Sequence, residues 1–137
     1  MTIKSLTHMN NSKKNQKMQR SRRLFIKKKQ IASKIIYCDS IFMQGTGLMM
    51  KPKSSVKNTA WLFKLRRARK TGITMFMVFF PIDIICMDKD NKIIELVRNL
   101  KPFSRYNTEE KISSFIELES GSIKKHSIKL KDKIILK

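Results

Sequence analysis

Two cysteines in 137 residues, Cys38 and Cys86, are too few for a disulfide-stapled scaffold. Each stands among strand-forming apolar residues, with no second Cys or His at metal-ligand spacing. Both therefore read as reduced, buried thiols, with a bridge between them as the alternative. His126 has no Asp or Cys partner in view, which points to a surface or capping role. Glycine is scarce as well: Gly45-Thr46-Gly47 is a fragment of a phosphate-binding loop without the strand-to-helix setting or the Lys-Ser or Lys-Thr pair, and close packing is its simpler use. No paired carboxylates and no nucleophile beside a base can be found. Glu109 and Glu110 are neighbours in a polar stretch, which projects them apart. A binding domain is thus favoured over an enzyme, and no cofactor is called for.

Long apolar runs are also missing. The longest, around Met75 to Ile82, is too short to span a bilayer and is closed by Asp83. The basic N-terminus is not followed by the apolar core of a signal peptide, so a soluble, cytoplasmic chain is expected.

What the sequence has in excess is positive charge. Thirty-one Lys and Arg stand against ten Asp and Glu, a formal charge of +21, which attracts polyanions such as nucleic acid or anionic lipid. Between Met1 and Lys34 there are eleven basic residues and no acid. Residues 1–33 show no sustained apolar period and are expected to be a disordered basic tail, interrupted only by Leu24, Phe25 and Ile26, which could dock on the body. Met9 and Met18 are possible alternative starts within it.

From Lys34 to the end, 34–137 reads as one strand-rich domain. Strands are predicted at Lys34 to Cys38, Thr59 to Leu65, Ile73 to Phe80, Ile82 to Met87, Lys92 to Val97 and Ser113 to Leu118, with further strand material at Ile128 to Leu130 and Ile134 to Leu136. Asp88-Lys89-Asp90-Asn91 between two β-branched runs marks a hairpin. Short helices are predicted after Asp39 or Ser40, on a face made by Ile41, Phe42, Gly45, Leu48 and Met49, and from Ser120 to His126. Arg66 to Gly72 and Asn99 to Lys111 read as loops. The fold class is mainly β: a small antiparallel sandwich or distorted barrel with about two short helices.

The order of motifs resembles a known family. Gly47-Leu48-Met49-Met50-Lys51, Trp61-Leu62-Phe63, Met75 followed by Phe80-Pro81-Ile82-Asp83-Ile84, and Asp88-Lys89-Asp90-Asn91-Lys92-Ile93-Ile94 come first. Asn99-Leu100-Lys101-Pro102-Phe103 and Glu117-Leu118-Glu119-Ser120-Gly121 through Lys131-Asp132-Lys133 follow. Together, over about Ile35 to Leu136, they resemble the domain of unknown function 192 family, also called uncharacterised protein family 0127. The resemblance implies a compact domain of mainly antiparallel strands and leaves the biochemical role open. This chain departs from the family pattern where a polar or basic residue often follows the methionine matching Met75: Phe76, Met77, Val78, Phe79 and Phe80 are all apolar. Lys51 stands for an arginine and Lys131 for a glycine.

Two candidate sites emerge. Asp83, inside an apolar stretch, must find hydrogen bonds or a cation. Either it faces a ligand pocket with Lys51 and Met75, paired to Lys51 or to an arginine of 66–69, or it is a structural acid satisfying backbone amides at a bend. The other candidate is polyanion binding by tail residues Lys13, Lys14, Arg20, Arg22, Arg23, Lys27, Lys28 and Lys29 with Arg66, Arg67, Arg69 and Lys70. Phe25 or Tyr37 could stack on a base; a purely solubilising tail is the alternative, and a membrane surface is the third partner considered. Met43, Met49, Met50, Met75, Met77 and Met87 would bind Cu(I) only if two or three sulfurs converged, and otherwise fill core space.

Overall fold

Strands whose neighbouring side chains are all apolar need cover on both faces. Ile82–Met87 is buried at every position, and in the computed structural model, which describes residues 22–38 and 47–137, it lies inside a sheet covered on both sides. Ten strands form: β1 (Leu24–Ile26), β2 (Lys29–Ala32), β3 (Lys34–Cys38), β4 (Thr59–Arg69), β5 (Gly72–Thr74), β6 (Ile82–Met87), β7 (Ile93–Leu100), β8 (Arg105–Asn107), β9 (Ile112–Glu119) and β10 (Ile134–Leu136). One 3-10 turn spans Lys53–Val56, and one α-helical turn, α1, spans Ser122–Lys125.

The main sheet has five strands in the order β3-β4-β9-β6-β7. All its pairs are antiparallel except β3 with β4, which run parallel. Alternation along each strand separates two cores. Ala60, Leu62, Ile85, Ile116 and Leu118 face one way, covered by the three-stranded sheet β10-β1-β2 and by Ile123 of α1. Trp61, Phe63, Ile84, Cys86 and Phe115 face the other way, covered by Leu48, Val56, Ile73, Met75, Val78 and Phe80. The architecture is therefore mainly β with several sheets packed in layers, and it does not close into a barrel.

The predicted hairpin forms between β6 and β7. Asp88 Oδ1 accepts the amides of Asp90 (2.9 Å) and Lys92 (3.0 Å), and Asn91 takes the left-handed conformation the turn requires. Several other expectations are corrected. Arg66 to Arg69 belong to β4 rather than to a loop. In place of a long strand from Ile73 to Phe80, only Ile73 and Thr74, the end of β5, are in a strand; Val78 N donates to Met75 O and Met77 has φ 57°, so the run turns on itself. Arg105–Asn107 is a strand within the expected loop, and Ile128 to Leu130 forms no strand, although Ile128 is buried in the core. Part of the expected tail belongs to the packed body: Leu24, Ile26, Ile31 and Ala32 are buried, because β1 pairs with both β2 and β10. Most of the helix expected after Asp39 lies outside the described residues, and Gly47 to Met50 form a turn.

Cys38 and Cys86 are fully buried, and Cys86 is a free thiol. Burial, helped by the negative charge of Glu95, pushes the Cys86 thiol up to about 12. At pH 8 Cys86 should react with a thiol reagent only as fast as the protein opens, so its labelling rate should track unfolding in a urea series. Rapid labelling without denaturant would contradict this packing. Among the described residues no helix is long and apolar enough to cross a membrane.

Candidate functional site

Asp83 is 1% exposed, and its carboxylate is spent on backbone. Oδ1 accepts Asn99 N (2.9 Å), while Oδ2 accepts Gly121 N (3.1 Å) and Ile123 N (2.9 Å). It thus fastens the end of β7 and the β9–α1 connection to the middle of the sheet. Gly121, at φ 92°, supplies a backbone conformation that side chains resist. Of the two readings of Asp83, the structure has the one in which amides at a bend are satisfied. Glu95 is used in the same way: it accepts the amides of Glu109 and Glu110 and the hydroxyl of Tyr106.

Lys51, Met75 and Asp83 do not converge. Lys51 places its ammonium 5.6 Å from the centre of the Trp61 ring. Met75 is fully buried in the Phe63–Phe115 core, and Asp83 belongs to the latch just described. A cavity of about 90 Å³ lies close by, however, between β9, β4, β5 and the turns around Leu48 and Phe76. Its one titratable lining residue is Glu117. Glu117 is 6% exposed, and among the described residues it has no hydrogen-bond or ion-pair partner. Burial alone pushes its carboxyl up to about 8. Phe63 and Phe115, stacked at 4.7 Å between ring centres, and Phe76 form apolar walls.

Sequence reasoning passed over Glu117 because an acid alternating with apolar residues ordinarily marks a solvent face. Here both faces of the sheet are covered. The available signal was the spacing Phe115, Glu117, which puts the acid on the same face as an aromatic core residue.

Around that cavity the surface is unusually apolar. Met50, Phe76, Phe79 and Phe103 are each more than half exposed. Backbone bonds tie their segments together: Met50 N donates to Met77 O (2.8 Å) and Phe103 N to Met75 O (3.0 Å), while Phe79 and Phe103 meet edge to face at 5.2 Å. Met50, Met77 and Phe103 all have positive φ, a strained conformation for such residues.

The basic candidates separate into groups. Lys13, Lys14 and Arg20 lie outside the described residues. Arg22 and Arg23 flank β1, with Arg22 reaching the Tyr37 hydroxyl at 3.4 Å. Lys27 and Lys28 form the β1–β2 turn that leads into Lys29, and Lys27 pairs with Asp132 at 3.1 Å. Arg66, Arg67, Arg69 and Lys70 are exposed at the far end of β4, on a different sheet. There the pairing with β9 steps from Lys64–Ser114 to Arg69–Ile112, so β4 bulges outward and displays its arginines. Arg105 crosses Gly72, two residues beyond Lys70, where even a Cβ would come within 2.3 Å of the guanidinium.

His126 occupies the C-cap position of α1, where its backbone N–H donates to Ser122 O (3.0 Å). Among the described residues its Nδ1 is buried without a partner, and burial, then Lys29 and Lys125, hold its pKa below the usual value. Of the methionines, Met75 and Met87 belong to opposite cores, Met50 is exposed, Met49 lines the cavity, and Met43 lies outside the described residues.

Residues 24–136 match the family model DUF192, described as uncharacterized ACR. The match begins at the first residue of β1. Two solved structures share the fold. One, described as a candidate transcription regulator from Sinorhizobium meliloti 1021, aligns with a TM-score of 0.73 at 18% identity, covering 83% of this chain and 90% of that one. The other, a protein of unknown function from Novosphingobium aromaticivorans DSM 12444, aligns with a TM-score of 0.68 at 18% identity, covering 74% of each chain. No curated protein matches the sequence.

Proposed function

This chain belongs to the DUF192 family of uncharacterised proteins, and we propose that it is a non-enzymatic, cytoplasmic binding module for single-stranded nucleic acid. The observation that carries the reading is the bulge of β4, along which Arg66, Arg67, Arg69 and Lys70 are all exposed, with Arg105 crossing Gly72 two residues beyond. Phosphates neutralised there release counterions. The exposed rings of Phe76, Phe79 and Phe103 offer faces on which bases stack; Phe103 lies two residues before Arg105, and Phe76 two residues after its strand partner Thr74. Duplexes hide their base faces, so single strands suit this combination better. Binding is preferred to catalysis because the buried acids Asp83 and Glu95 already hold backbone amides.

Neutralising four phosphates of a single strand gives a slope of about −3 for log K against log salt. Reversing Arg66, Arg67 and Arg69 to Glu should flatten that slope to near −1, at about 0.7 for each phosphate no longer neutralised, and weaken binding at least tenfold in fluorescence anisotropy with a labelled oligonucleotide. A tail contribution from Lys13, Lys14 and Arg20 is tested with a chain beginning at Arg22. Starting at Ser33 would delete β1 and β2 and with them part of the core. Unaltered binding in the triple reversal, or binding to anionic vesicles but to no oligonucleotide, would overturn the reading.

A further inference from the structure

A carboxyl group normally occupies an apolar interior only when amides, hydroxyls or a cation meet its oxygens. Asp83 and Glu95 obey that rule, whereas among the described residues Glu117 has no protein partner, and its carboxyl oxygens open only onto the cavity. Its side chain is 6% exposed and lines an open cavity, so what is missing is a partner that comes from outside. We propose that the Glu117 cavity is a binding site for a primary ammonium group carried on a short apolar stem.

Three features select that chemistry. The first is size: about 90 Å³ accommodates roughly three or four heavy atoms, given that benzene fills a cavity of about 150 Å³. The site thus takes the head and first carbons of an alkylamine, but no ring. The second is the wall, since Phe63, Phe76 and Phe115 present aromatic carbon, which attracts a cation through the ring quadrupole. The third is the absence of a competing charge on the lining. Titratable groups on the surrounding elements are Lys64, Arg66, Arg67 and Arg69 on β4, Asp83 and Cys86 on β6, Glu119 on β9, and Arg105 and Tyr106 on β8, where the Arg105 guanidinium crosses the lining residue Gly72; none of them lines the cavity. Lys51, next to the Leu48 turn, is placed over Trp61. The high overall positive charge does not forbid a cation here, because it is screened beyond about 8 Å at physiological ionic strength.

The ammonium enters charged, and Glu117 gives up its proton to solvent, so the bound state is an ion pair inside aromatic walls. With its carboxyl at about 8, Glu117 is about nine-tenths protonated at pH 7, and binding there should release about 0.9 proton. Below pH 8 the affinity should therefore rise about tenfold per pH unit, levelling off above it. This site shares Phe76 with the proposed nucleic-acid surface but neither its acid nor its arginines: Glu117→Gln should leave oligonucleotide binding intact, and the reversal of Arg66, Arg67 and Arg69 should leave amine binding intact.

The test is calorimetry of the full chain with n-butylammonium, in two buffers of different ionisation enthalpy, at pH 6, 7 and 8. Saturable binding, with proton release and the stated pH dependence, is expected. Glu117→Gln should lose at least tenfold in affinity and all of the proton release. Nα-acetyl-lysine methylamide, run in parallel, separates the two sources of this chemistry: tighter binding than butylammonium assigns a protein lysine, weaker binding a free small amine, and both support the site. The inference is overturned if wild-type protein shows no saturable binding, if butyramide binds as well as butylammonium, or if affinity is the same from pH 6 to 8. The last two readouts use the wild-type chain and do not depend on how the variant folds.

Discussion

Replacing Asp83 with alanine is expected to destabilise the protein by about 4 kcal/mol, since each buried amide left without an acceptor costs about 1–3 kcal/mol. Three amides lose their acceptor together: Asn99 N at the end of β7, and Gly121 N and Ile123 N where β9 turns into α1. Water cannot readily replace the carboxylate, because the site is 1% exposed. Alanine also leaves a void, although the missing acceptors dominate. Asp83→Asn is the informative control. Its amide offers one acceptor oxygen and turns an NH2 group toward at least one backbone N–H, so a loss close to that of alanine is expected despite near-identical volume. Urea titrations would give the free energies. Hydrogen exchange at Gly121 and Ile123 should accelerate in both variants beyond what the global loss explains, since this carboxylate ties their turn to β6. A cost under about 1 kcal/mol for alanine would mean that the latch is not holding the β9–α1 connection.

That same residue shows how much of the molecule could be read before its structure. An acid two residues after Pro81 in an apolar run had to be satisfied somehow, and backbone amides were one of the two ways foreseen. Which amides they were depended on Gly121 and Ile123, far along the chain, and no local pattern reveals that pairing. The β6–β7 hairpin was legible because its determinants are local: a carboxylate accepting amides within a turn. β1 was not. Leu24-Phe25-Ile26 is three residues inside a cationic segment, and its partner Ile134-Ile135-Leu136 lies at the other end of the chain. The extension of β4 was hidden for the opposite reason, since Arg66 to Arg69 carry no apolar alternation and rejoin β9 only at Arg69. The run from Ile73 to Phe80 misled because continuous apolar sequence ordinarily means burial on both faces. Here Phe76 and Phe79 stand in solvent and Met77 is left-handed. At the site, the resemblance drew attention to Gly47-Leu48-Met49 and to the stretch after Met75, and both do border the cavity. The acid between them is Glu117 rather than Asp83. In a chain where apolar residues occupy the positions after Met75 that often hold polar ones, no side chain from that turn reaches Glu117 as a counter-ion.

An unpaired buried acid also leaves a signature in stability. In the unfolded chain a glutamate titrates at its ordinary value of 4.5, whereas the folded protein holds Glu117 at about 8. Between those limits the native state keeps a proton that the unfolded state has released, so stability falls as pH rises across the window. The favourable contribution is complete below about 4.5 and is lost by the time pH passes 8. A difference of this size corresponds to about 4 kcal/mol, at about 1.4 kcal/mol per pH unit and allowing for some relaxation around the charged form. Glu117→Gln isolates the effect. At pH 4.5 both side chains are neutral and nearly isosteric, so the two proteins should differ by less than about 1 kcal/mol. At pH 9 the glutamine protein should be the more stable by about 4 kcal/mol, because it has no charge to bury. Taking the difference between variants cancels the titration of every other group, including that of His126. Urea denaturation at pH 4.5, 6, 7.5 and 9 would trace the curve, and a difference that stays flat across that range would show that Glu117 is solvated or paired in the folded protein. If the curve is as expected, adding butylammonium at pH 9 should narrow the gap, since a cation beside the ionised Glu117 supplies the compensation that the fold omits.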